Sequence, residues 1–424
     1  SMEPDEAAIV EKLRVYPNSP IISKSDWQKI VDFYITKAPA TVIPAKTTTV
    51  VKTSTRQFFS ESVFIDNKQA PKTSMIKFDE ANGTLYVSDA INELYALDKN
   101  LKLKETWNTP SAVVDLLFEK NKEPSALCIG SIAPSEKKEG LLLSLDSTQQ
   151  KASFGGLARP VNIEKADVNQ DGKEDIIICQ FGNHTGKISW LDGGDIRKEN
   201  ILVYRPGARK AEIVDLNKDG KLDIVVMMAQ AYEGIYYLEN KGGGSFKETP
   251  LVKFPPVYGV SYFEMIDINK DGFLDIVMSN GDNWDLSRVK KRFHGVRILL
   301  NDKLNHFKES FFFPMYGASK AIARDFDGDG DLDIAAISFY DDLAKPEQGF
   351  IYFENTGNMQ FAASTTPEAA NGKWLTMEVA DIDKDGDTDI VLGSFIYTFS
   401  EMTQLLMKGI EHFPQLLVLR NNKK

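Results

Sequence analysis

Five short segments repeat one order of oxygen-bearing side chains, with Asp or Asn at positions 1, 3 and 5, Asp at position 9 and glycine at position 6. They read DVNQDGKED from Asp167, DLNKDGKLD from Asp215, DINKDGFLD from Asp267, DFDGDGDLD from Asp325 and DIDKDGDTD from Asp381. Hard cations such as Ca²⁺ take about six to eight oxygen ligands, and the glycine permits the sharp turn that folds alternate side chains inward. The spacing therefore predicts five calcium loops.

The residues that follow each segment predict a β-hairpin rather than an EF-hand. An EF-hand loop opens in the same way but needs a glutamate at position 12, between two helices. Position 12 is apolar in all five segments, where it is occupied by Ile178, Val226, Met278, Ala336 and Leu392. Each segment runs into a short apolar stretch, such as DIIICQF or DIVLGSF, which is typical of a buried strand. An Asp-Gly turn without metal is the alternative, but such a turn does not require four acidic or amide positions.

The first aspartates of successive segments are separated by 48, 52, 58 and 56 residues, so the chain repeats with a period of about fifty. Asp-x-Asp/Asn-x-Asp-Gly-x-x-Asp followed by a strand resembles the FG-GAP or VCBS repeats of integrin-α-type seven-bladed β-propellers. The resemblance implies one Ca²⁺ between the first and second strands of a blade, held by the side chains at positions 1, 3, 5 and 9 and the carbonyl at position 7. The residues assigned in this way are Asp167, Asn169, Asp171, Lys173 and Asp175; Asp215, Asn217, Asp219, Lys221 and Asp223; Asp267, Asn269, Asp271, Phe273 and Asp275; Asp325, Asp327, Asp329, Asp331 and Asp333; and Asp381, Asp383, Asp385, Asp387 and Asp389.

The acidity of the chain comes from these loops. The chain has 61 acidic and 50 basic residues, a formal charge of −11, and without the carboxylates assigned as ligands that charge would be positive. The acidity is therefore no evidence for a basic partner, and no net basic field is present to attract nucleic acid. No apolar run approaches the roughly 20 residues that span a bilayer, so no transmembrane segment is expected.

The repeat count predicts an all-β, seven-bladed β-propeller over residues 56–424. Five units with metal loops cover about residues 160–424, and residues 71–160 have room for two blades without metal, of which the first is also similar to quinoprotein-type propeller blades. The last unit stops at its third strand, and an open ring would leave unpaired strand edges. Residues 56–66, RQFFSESVFID, alternate apolar and polar positions and are predicted to supply the missing strand.

Four core residues follow from this register. Cys128 and Cys179 occupy matching places in the second strands of neighbouring blades, so they are expected to be buried thiols without a disulfide. Trp190 and Trp374 fall in or beside predicted strands and are expected to lie in the core.

Residues 1–40 form a separate, helical N-terminal segment in this interpretation. SKSDWQKIVDFYITKAP opens with serines suited to a helix cap, and the apolar residues on one face of the predicted helix are Trp27, Ile30, Val31 and Tyr34. The stretch from Tyr16 to Pro39 resembles the tail of a class I c-type cytochrome. Haem attachment would need Cys-x-x-Cys-His, which is absent, so no haem is expected in this chain. A helical cap packed on the propeller, or a truncated remnant, is the favoured interpretation, and residues 41–55 are assigned as a linker.

The longest insertions are predicted to lie on the rim opposite the metal loops, because they follow the second strand of a blade and the metal loops follow the first. They are NGDNWDLSRVKKRFHG from Asn280, FYDDLAKPEQG from Phe339, FIYTFSEMTQLLMKGIEHFP from Phe395 and the shorter GNHTG from Gly182. An aromatic side chain beside fixed polar groups suits sugar or peptide recognition. The ligand-binding candidates are Asn283, Trp284, Arg288, Arg292 and Tyr340. Ordinary solvated loop charges, with Trp284 packed on a neighbouring blade, are the alternative.

The same rim offers groups for general acid and base chemistry. The catalytic candidates are His184, His294, Asp282 and Asp285. The first functional hypothesis is a calcium-stiffened propeller that binds a glycan or a protein without catalysis. The alternative is a polysaccharide- or sugar-acting lyase or dehydratase that uses His184 and His294, and a third is a scaffold in a redox or envelope assembly.

The calcium loops also predict a location outside the cytosol. Extracytoplasmic modules commonly use calcium sites with dissociation constants of about 10⁻⁴ to 10⁻³ M, whereas cytosolic calcium is too scarce to fill them. The protein is therefore expected to be secreted, periplasmic or at the cell surface, as a monomer. Ser1 and Met2 are followed by no charged n-region and no apolar h-region, so any targeting signal is expected to have been removed.

Overall fold

The computed structural model describes residues 4–41, 43, 45, 47, 49–65, 70–120, 122–146, 151–282, 289–340 and 344–422. Within these residues the strands form seven four-stranded antiparallel sheets. The first strands of neighbouring sheets contact one another all the way round, so the sheets close into a ring. The predicted all-β, seven-bladed β-propeller is confirmed.

Strand β1 (Phe58–Val63) precedes the ring of blades. Blade 1 comprises β2 (Thr73–Asp79), β3 (Thr84–Asp89), β4 (Glu93–Leu97) and β5 (Leu103–Asn108), and blade 2 comprises β6 (Val113–Leu117), β7 (Ser125–Cys128), β8 (Gly140–Ser144) and β9 (Lys151–Leu157). Blade 3 comprises β10 (Pro160–Ala166), β11 (Asp175–Gln180), β12 (Lys187–Leu191) and β13 (Glu199–Val203), and blade 4 comprises β14 (Ala208–Val214), β15 (Asp223–Met228), β16 (Gly234–Gly242) and β17 (Ser245–Lys253).

Blade 5 comprises β18 (Val260–Ile266), β19 (Asp275–Asn280), β20 (Gly295–Asn301) and β21 (Phe307–Pro314). Blade 6 comprises β22 (Ala318–Arg324), β23 (Asp333–Ser338), β24 (Phe350–Asn355) and β25 (Phe361–Ser364). Blade 7 comprises β26 (Trp374–Ala380), β27 (Asp389–Ser394), β28 (Leu416–Asn421) and, as its outermost strand, β1. The short 3-10 helices are Asp192–Gly194, Ile196–Lys198, Pro256–Tyr258, Pro346–Gly349 and Pro367–Asn371.

The second strand of blades 3 to 7 is buried along its whole length. Each blade is covered on both faces by its neighbours, so this strand must be apolar on both faces rather than alternating. Runs such as DIVVMM in β15 meet that need. The outer strands are more exposed, as the pattern along β17 shows. The core of the protein therefore consists of the layers between adjacent blades.

The inner strand of each blade is a sheet edge whose N–H groups lack a strand partner on one side. Side chains of the preceding blade supply acceptors for several of these groups. The pairs are Ile163 N with Asp115 Oδ2 at 3.0 Å, Ala211 N with Asn162 Oδ1 at 2.8 Å and Met265 N with Glu212 Oε2 at 2.8 Å. Polar side chains on the inner strands therefore join one blade to the next.

The ring closes through β1, which pairs antiparallel with β28 from Phe58 opposite Asn421 to Val63 opposite Leu416. Residues 56–66 contain this strand. The ring of Phe58 is buried and packs edge-on against Phe326, with centroids 5.8 Å apart, and Tyr352, at 5.2 Å. The first strand in the sequence thus packs between the last two blades.

The N-terminal segment contains helices α1 (Pro4–Lys12) and α2 (Lys24–Lys37), the second capped by Ser23, whose side chain accepts the N–H of Asp26. The interpretation of this segment as a cap packed on the propeller is wrong for α2, because none of its described side chains is buried. Trp27 and Tyr34 are 59% and 68% exposed. A helix periodicity shows which residues share a face but does not show that the face has a partner.

The segment assigned as a linker contacts the outer edge of blade 6. Lys52 N donates to Ala363 O at 3.0 Å, and Thr365 N donates to Lys52 O at 2.8 Å. Thr55 N donates to Thr365 O at 3.0 Å. This short parallel pairing covers part of an exposed strand edge.

The insertion in blade 7 contains helix α3 (Phe399–Met407), which is capped by a reciprocal pair of hydrogen bonds between Thr398 and Glu401. No helix in the described part of the chain is long and apolar enough to cross a membrane.

Cys128 and Cys179 are buried free thiols, and burial raises the pKa of Cys128 to about 12. Trp374 is buried and donates its indole N–H to Ala369 O at 2.8 Å. Trp190 is buried as well.

Removal of the Phe58 ring is expected to weaken ring closure. Phe58→Ala deletes a buried aromatic side chain between two blades, so the free energy of unfolding should fall by about 3 to 5 kcal/mol. Phe59→Ala, one residue along the same strand but 63% exposed, should change it by less than about 0.5 kcal/mol. Urea denaturation of both variants measures the difference, and equal losses would show that β1 does not close the ring through Phe58.

Candidate functional site

The five candidate metal loops, which we call the metal loops, are residues 167–175, 215–223, 267–275, 325–333 and 381–389. Each joins the first and second strands of one blade, in blades 3 to 7. The longer insertions join the second and third strands. Successive hairpins in an antiparallel sheet lie at alternate ends, so the metal loops share one rim and the insertions share the opposite rim.

Backbone N–H groups of each metal loop donate hydrogen bonds to the side-chain oxygens of the same loop. In blade 3, Asp171 N donates to Asp167 Oδ1 at 3.1 Å and to Asn169 Oδ1 at 2.9 Å. Gly172 N donates to Asp167 Oδ2 at 2.9 Å, and Lys173 N donates to Asp171 Oδ1 at 2.9 Å. The bond from position 6 to position 1 recurs in the loops that begin at Asp215, Asp267, Asp325 and Asp381. These bonds turn the side chains at positions 1, 3 and 5 toward a common centre.

In blades 6 and 7, where position 3 is also aspartate, three carboxylates of one metal loop lie close together. One oxygen from each of Asp325, Asp327 and Asp329 lies within 4.8 Å of the others, and the same holds for Asp381, Asp383 and Asp385. Three carboxylates so close together repel one another unless a cation or protons neutralise them. Burial, together with Asp329 and Asp325, raises the pKa of Asp327.

The donor set fits a hard cation. The side chains at positions 1, 3, 5 and 9 offer only carboxylate or amide oxygens, which suit Ca²⁺ or Mg²⁺ rather than a soft metal. Asp383 Oδ1 is buried and accepts no hydrogen bond from the described residues. A buried carboxylate oxygen is costly without a partner, and a bound cation would provide one.

The aspartate at position 9 also anchors the blade. In blade 4, Asp223 is fully buried; its Oδ2 accepts the N–H of Leu216 at 3.1 Å and the hydroxyl of Tyr237 at 2.8 Å. Its Oδ1 accepts the N–H of Asn240, near the end of the third strand, at 2.8 Å. The same bond to the third-strand region is made by Asp175, Asp275, Asp333 and Asp389. Burial raises the pKa of all five position 9 carboxyls, to about 6 in Asp275 and Asp333.

Sequence reasoning missed the asparagine that completes this arrangement. Asn301, Asn355 and Asn421 end the third strands of blades 5 to 7, and Asn240 lies two residues before the end of the third strand of blade 4. Their side-chain amides donate to the backbone carbonyl at position 8 of the same blade's metal loop. The signal was in the sequence, because Asn recurs at the end of GIYYLEN, GVRILLN, GFIYFEN and LLVLRN. Asparagine suits this place because its amide donates while its own N–H binds the buried carboxylate.

Position 4 is a second feature that sequence reasoning missed. Its backbone is left-handed in every metal loop, with φ of 62° at Gln170, 60° at Lys218, 59° at Lys270, 75° at Gly328 and 64° at Lys384. Non-glycine residues adopt this conformation at a cost. In the sequence, this conformation was indicated by the glycine at position 4 of the fourth loop, Gly328.

The opposite rim holds those ligand and catalytic candidates that lie within the described residues. Asp282 is exposed and forms an ion pair with Arg209, Arg292 is exposed, and Tyr340 is half-buried beside Phe339, with ring centroids 4.7 Å apart. Asn283, Trp284, Asp285 and Arg288 lie outside the described residues.

The two candidate histidines have separate surroundings. The ring of His184, in blade 3, contacts Tyr16, whose hydroxyl lies 3.3 Å from Nδ1. His294, in blade 5, is 3% exposed, and its Nδ1 accepts the N–H of Gly317 at 3.5 Å. Burial lowers the pKa of His294 to about 4, so its ring is neutral at pH 7. No contact among the described residues brings the two imidazoles together.

Glu233 is a buried acid on this rim that sequence reasoning did not single out. Its side chain is 6% exposed, and its Oε2 accepts the N–H of Val260 at 2.8 Å. Burial raises the pKa of Glu233 to about 7, and the charge of Arg209 offsets part of that rise. No local motif marks such a residue, because its burial results from the packing of blade 4 against blade 5.

Glu233 should make stability depend on pH. Its folded-state pKa lies above its usual value, so the folded protein loses stability as pH rises from about 4.5 through 7. Glu233→Gln keeps an acceptor for Val260 without the charge. The variant should match the wild type near pH 4.5 and exceed its free energy of unfolding by about 3 kcal/mol at pH 8. Urea denaturation in saturating calcium across this range measures the difference, with the exposed Glu139→Gln as control. A constant difference at all pH values would contradict the assignment.

The sequence matches known repeats over the metal-loop blades. A sequence model of the FG-GAP-like repeat matches residues 167–226, 215–278 and 325–392. Integrin alpha-3 of Mus musculus is 31% identical over 126 residues, which cover 24% of this chain and 12% of the integrin. The match thus spans only a small part of that integrin.

Solved structures share the fold at low sequence identity. The WD40 domain of Neurospora crassa Pan2 superimposes with a TM-score of 0.50 at 11% identity, covering 88% of this chain and 99% of that chain. BBS1N from its complex with ARL6DN gives a TM-score of 0.51 at 9% identity, covering 88% and 99%. These likenesses concern the fold alone, whereas the repeats carry the sequence relationship. Together with the seven four-stranded blades, the matched segments show that the chain is a seven-bladed β-propeller that contains FG-GAP-like repeats.

Proposed function

We propose that this protein is a calcium-stabilised binding module that recognises a glycan or a protein through the rim opposite its metal loops. The observation that carries the proposal is that the metal loops and the long insertions lie on opposite rims. All metal loops connect first and second strands, and all long insertions connect second and third strands. A rigid rim on one side and long, variable loops on the other is the arrangement expected of a scaffold that presents a binding surface.

Calcium would be held by the side chains at positions 1, 3 and 5 of each loop, with the position 9 aspartate completing the set. The bound ion supplies charge compensation and fixes the hairpin. The residues of the chain set the geometry of the loop. The backbone N–H groups orient the carboxylates, and the position 9 aspartate links the loop to the third strand by a hydrogen bond. The convergence of acidic oxygens in blades 6 and 7 supports this role.

The proposed location is extracytoplasmic. Open loops with three or four carboxylates fit calcium sites of modest affinity, which fill at the calcium concentrations found outside the cytosol. The FG-GAP-like repeats and the similarity to an integrin alpha chain support a binding or adhesion role there.

The exposed apolar side chains of the blade 7 insertion support recognition at the opposite rim. Tyr397, Phe399 and Met407 are 68%, 78% and 82% exposed. Exposed aromatic side chains next to polar loops suit either a sugar face or a protein surface. The geometry does not favour catalysis by the two histidines, because His294 is buried and His184 has other neighbours.

Calcium removal should lower the melting temperature. Excess EGTA leaves the clustered carboxylates uncompensated, and at about 1 mM free calcium each site of modest affinity contributes about 1 kcal/mol by linkage. Differential scanning calorimetry with and without EGTA should show a loss of several degrees. An unchanged melting temperature would contradict calcium binding.

Two variants make this test specific to the loops. Asp325→Asn with Asp329→Asn removes two candidate ligands of one site and should reduce the calcium-dependent shift by about one site's share. Asp79→Asn is the matched control, because Asp79 occupies the corresponding hairpin of blade 1, where its carboxylate binds Ala81 N and Asn82 Nδ2 in a sequence without the metal motif. It should alter the melting temperature equally with and without calcium.

A thermal-shift screen in millimolar calcium tests the ligand class. Oligosaccharides, including uronic-acid polymers, are added one at a time, and a glycan ligand should raise the melting temperature by linkage. Arg292→Ala and Tyr340→Ala should reduce that shift, while the outer-strand variant Phe59→Ala should preserve it. No shift with any sugar would favour a protein partner, and a shift that survives both rim variants would place the binding surface elsewhere.

A further inference from the structure

Side chains at position 4 of the metal loops reach the next loop around the ring. Gln170 Nε2 in blade 3 donates to Gly220 O in blade 4 at 3.3 Å. Lys218 Nζ in blade 4 donates to Gly272 O in blade 5 at 2.7 Å. Both acceptors are the position 6 glycines of the following loop, so each contact meets the turn that precedes position 7.

The third contact of this kind joins blades 5 and 6. Lys270 Nζ lies 2.8 Å from Asp331 Oδ1, whose residue occupies position 7 of the following loop. Asp331 is a candidate ligand only through its backbone carbonyl, so its side-chain carboxylate is free to pair with Lys270. Three successive contacts therefore run in one direction, from blade 3 to blade 6.

The shared backbone conformation explains the repetition. Position 4 has a positive φ in every metal loop, so the side chain leaves each loop with similar local geometry. In blade 6 this position is Gly328, which has no side chain to extend toward blade 7. In blade 7, Lys384 instead lies against the metal-free hairpin of blade 1, where a Cβ added to Gly83 would be 2.8 Å from Lys384 Cε.

Two of the blade junctions form a matched pair. Between blades 3 and 4, Asn240 Nδ2 donates to Val168 O at 2.7 Å in addition to the Gln170 contact. Between blades 6 and 7, Asn421 Nδ2 donates to Phe326 O at 2.7 Å, but Gly328 provides no second contact. The two junctions therefore differ at position 4 while sharing the asparagine.

We propose that the position 4 side chains couple the metal loops of blades 3 to 6, so that filling one loop favours filling the loop before it. This inference rests on the proposed calcium binding. A cation that binds the carbonyl at position 7 fixes the adjoining turn, and the preceding loop's position 4 side chain is anchored to that turn. The preceding loop then loses less conformational freedom when it binds its own cation, which is positive coupling.

The chemistry of the contacts supports this sign. Gln170 is neutral, and Lys218 donates to a carbonyl rather than to a ligand carboxylate. Neither acceptor is a carboxylate, so neither hydrogen bond requires the acceptor loop to keep its negative charge, whereas Lys270 pairs with the carboxylate of Asp331. One such bond corresponds to about a threefold to tenfold change in the affinity of the coupled loop.

Hydrogen exchange with mass spectrometry, read loop by loop across a calcium titration of the full chain, tests the coupling. Asp267→Asn with Asp271→Asn removes two candidate ligands in blade 5. In a wild-type background this should raise the calcium concentration that protects the blade 4 loop by about threefold to tenfold. In a Lys218→Met background, which keeps the chain length but removes the donor, the same change should have little effect. This is a double-mutant cycle between neighbouring blades.

The blade 6 to blade 7 junction provides the matched control. Asp381→Asn with Asp385→Asn should leave the blade 6 loop's calcium response nearly unchanged in the wild type and shift it in a Gly328→Lys background. Lys384→Met should not alter the coupling between blades 4 and 5. Calcium protection of every loop without the predicted dependence on Lys218 would overturn the coupling alone. No protection of any loop by calcium would overturn the proposed calcium binding and the coupling together.

Discussion

One buried aspartate, at position 9 of each metal loop, determines how the rim that carries the metal loops is built. In blade 4 the two oxygens of Asp223 accept N–H groups from Leu216, inside the loop, and from Asn240, near the end of the third strand. A single side chain thus joins three strands of the blade where the loop emerges. Because a buried carboxylate needs such donors, the arrangement tolerates little variation, and five loops of different sequence share one geometry.

The same need for hydrogen-bond partners governs the propeller as a whole. Seven separate sheets would expose many strand edges, which are unstable and prone to wrong pairing. Acids and amides on the inner strands satisfy N–H groups of the next blade, as Asp115 does for Ile163. At the outside, β1 completes blade 7, and the 52–55 segment pairs with the edge of blade 6. The metal loops, the polar side chains of the inner strands and the closing strand each supply hydrogen-bond partners to backbone groups at the edge of a sheet.

The two rims lie at opposite ends of each blade, and their geometries are set in different ways. The metal-loop rim is nearly invariant in geometry because its donors are fixed by the backbone. The opposite rim varies in length and composition, and its groups depend on packing between blades. Glu233 and His294 illustrate this, since burial shifts the pKa of the first upward and that of the second downward, with no local sequence pattern to announce either change.

The sequence alone determined the repeat, the number of blades, the hairpin position of the metal loops and the strand that closes the ring, because each follows from local spacing and alternation. It indicated that Trp27 and Tyr34 share a helix face, but only the tertiary structure decided that α2 buries neither of them. The reach of Lys218 to Gly272, the burial of His294 and the role of Asn240 were likewise decided by tertiary structure. Local patterns record how a segment folds, whereas contacts between blades depend on residues about fifty positions apart that only the closed ring brings together.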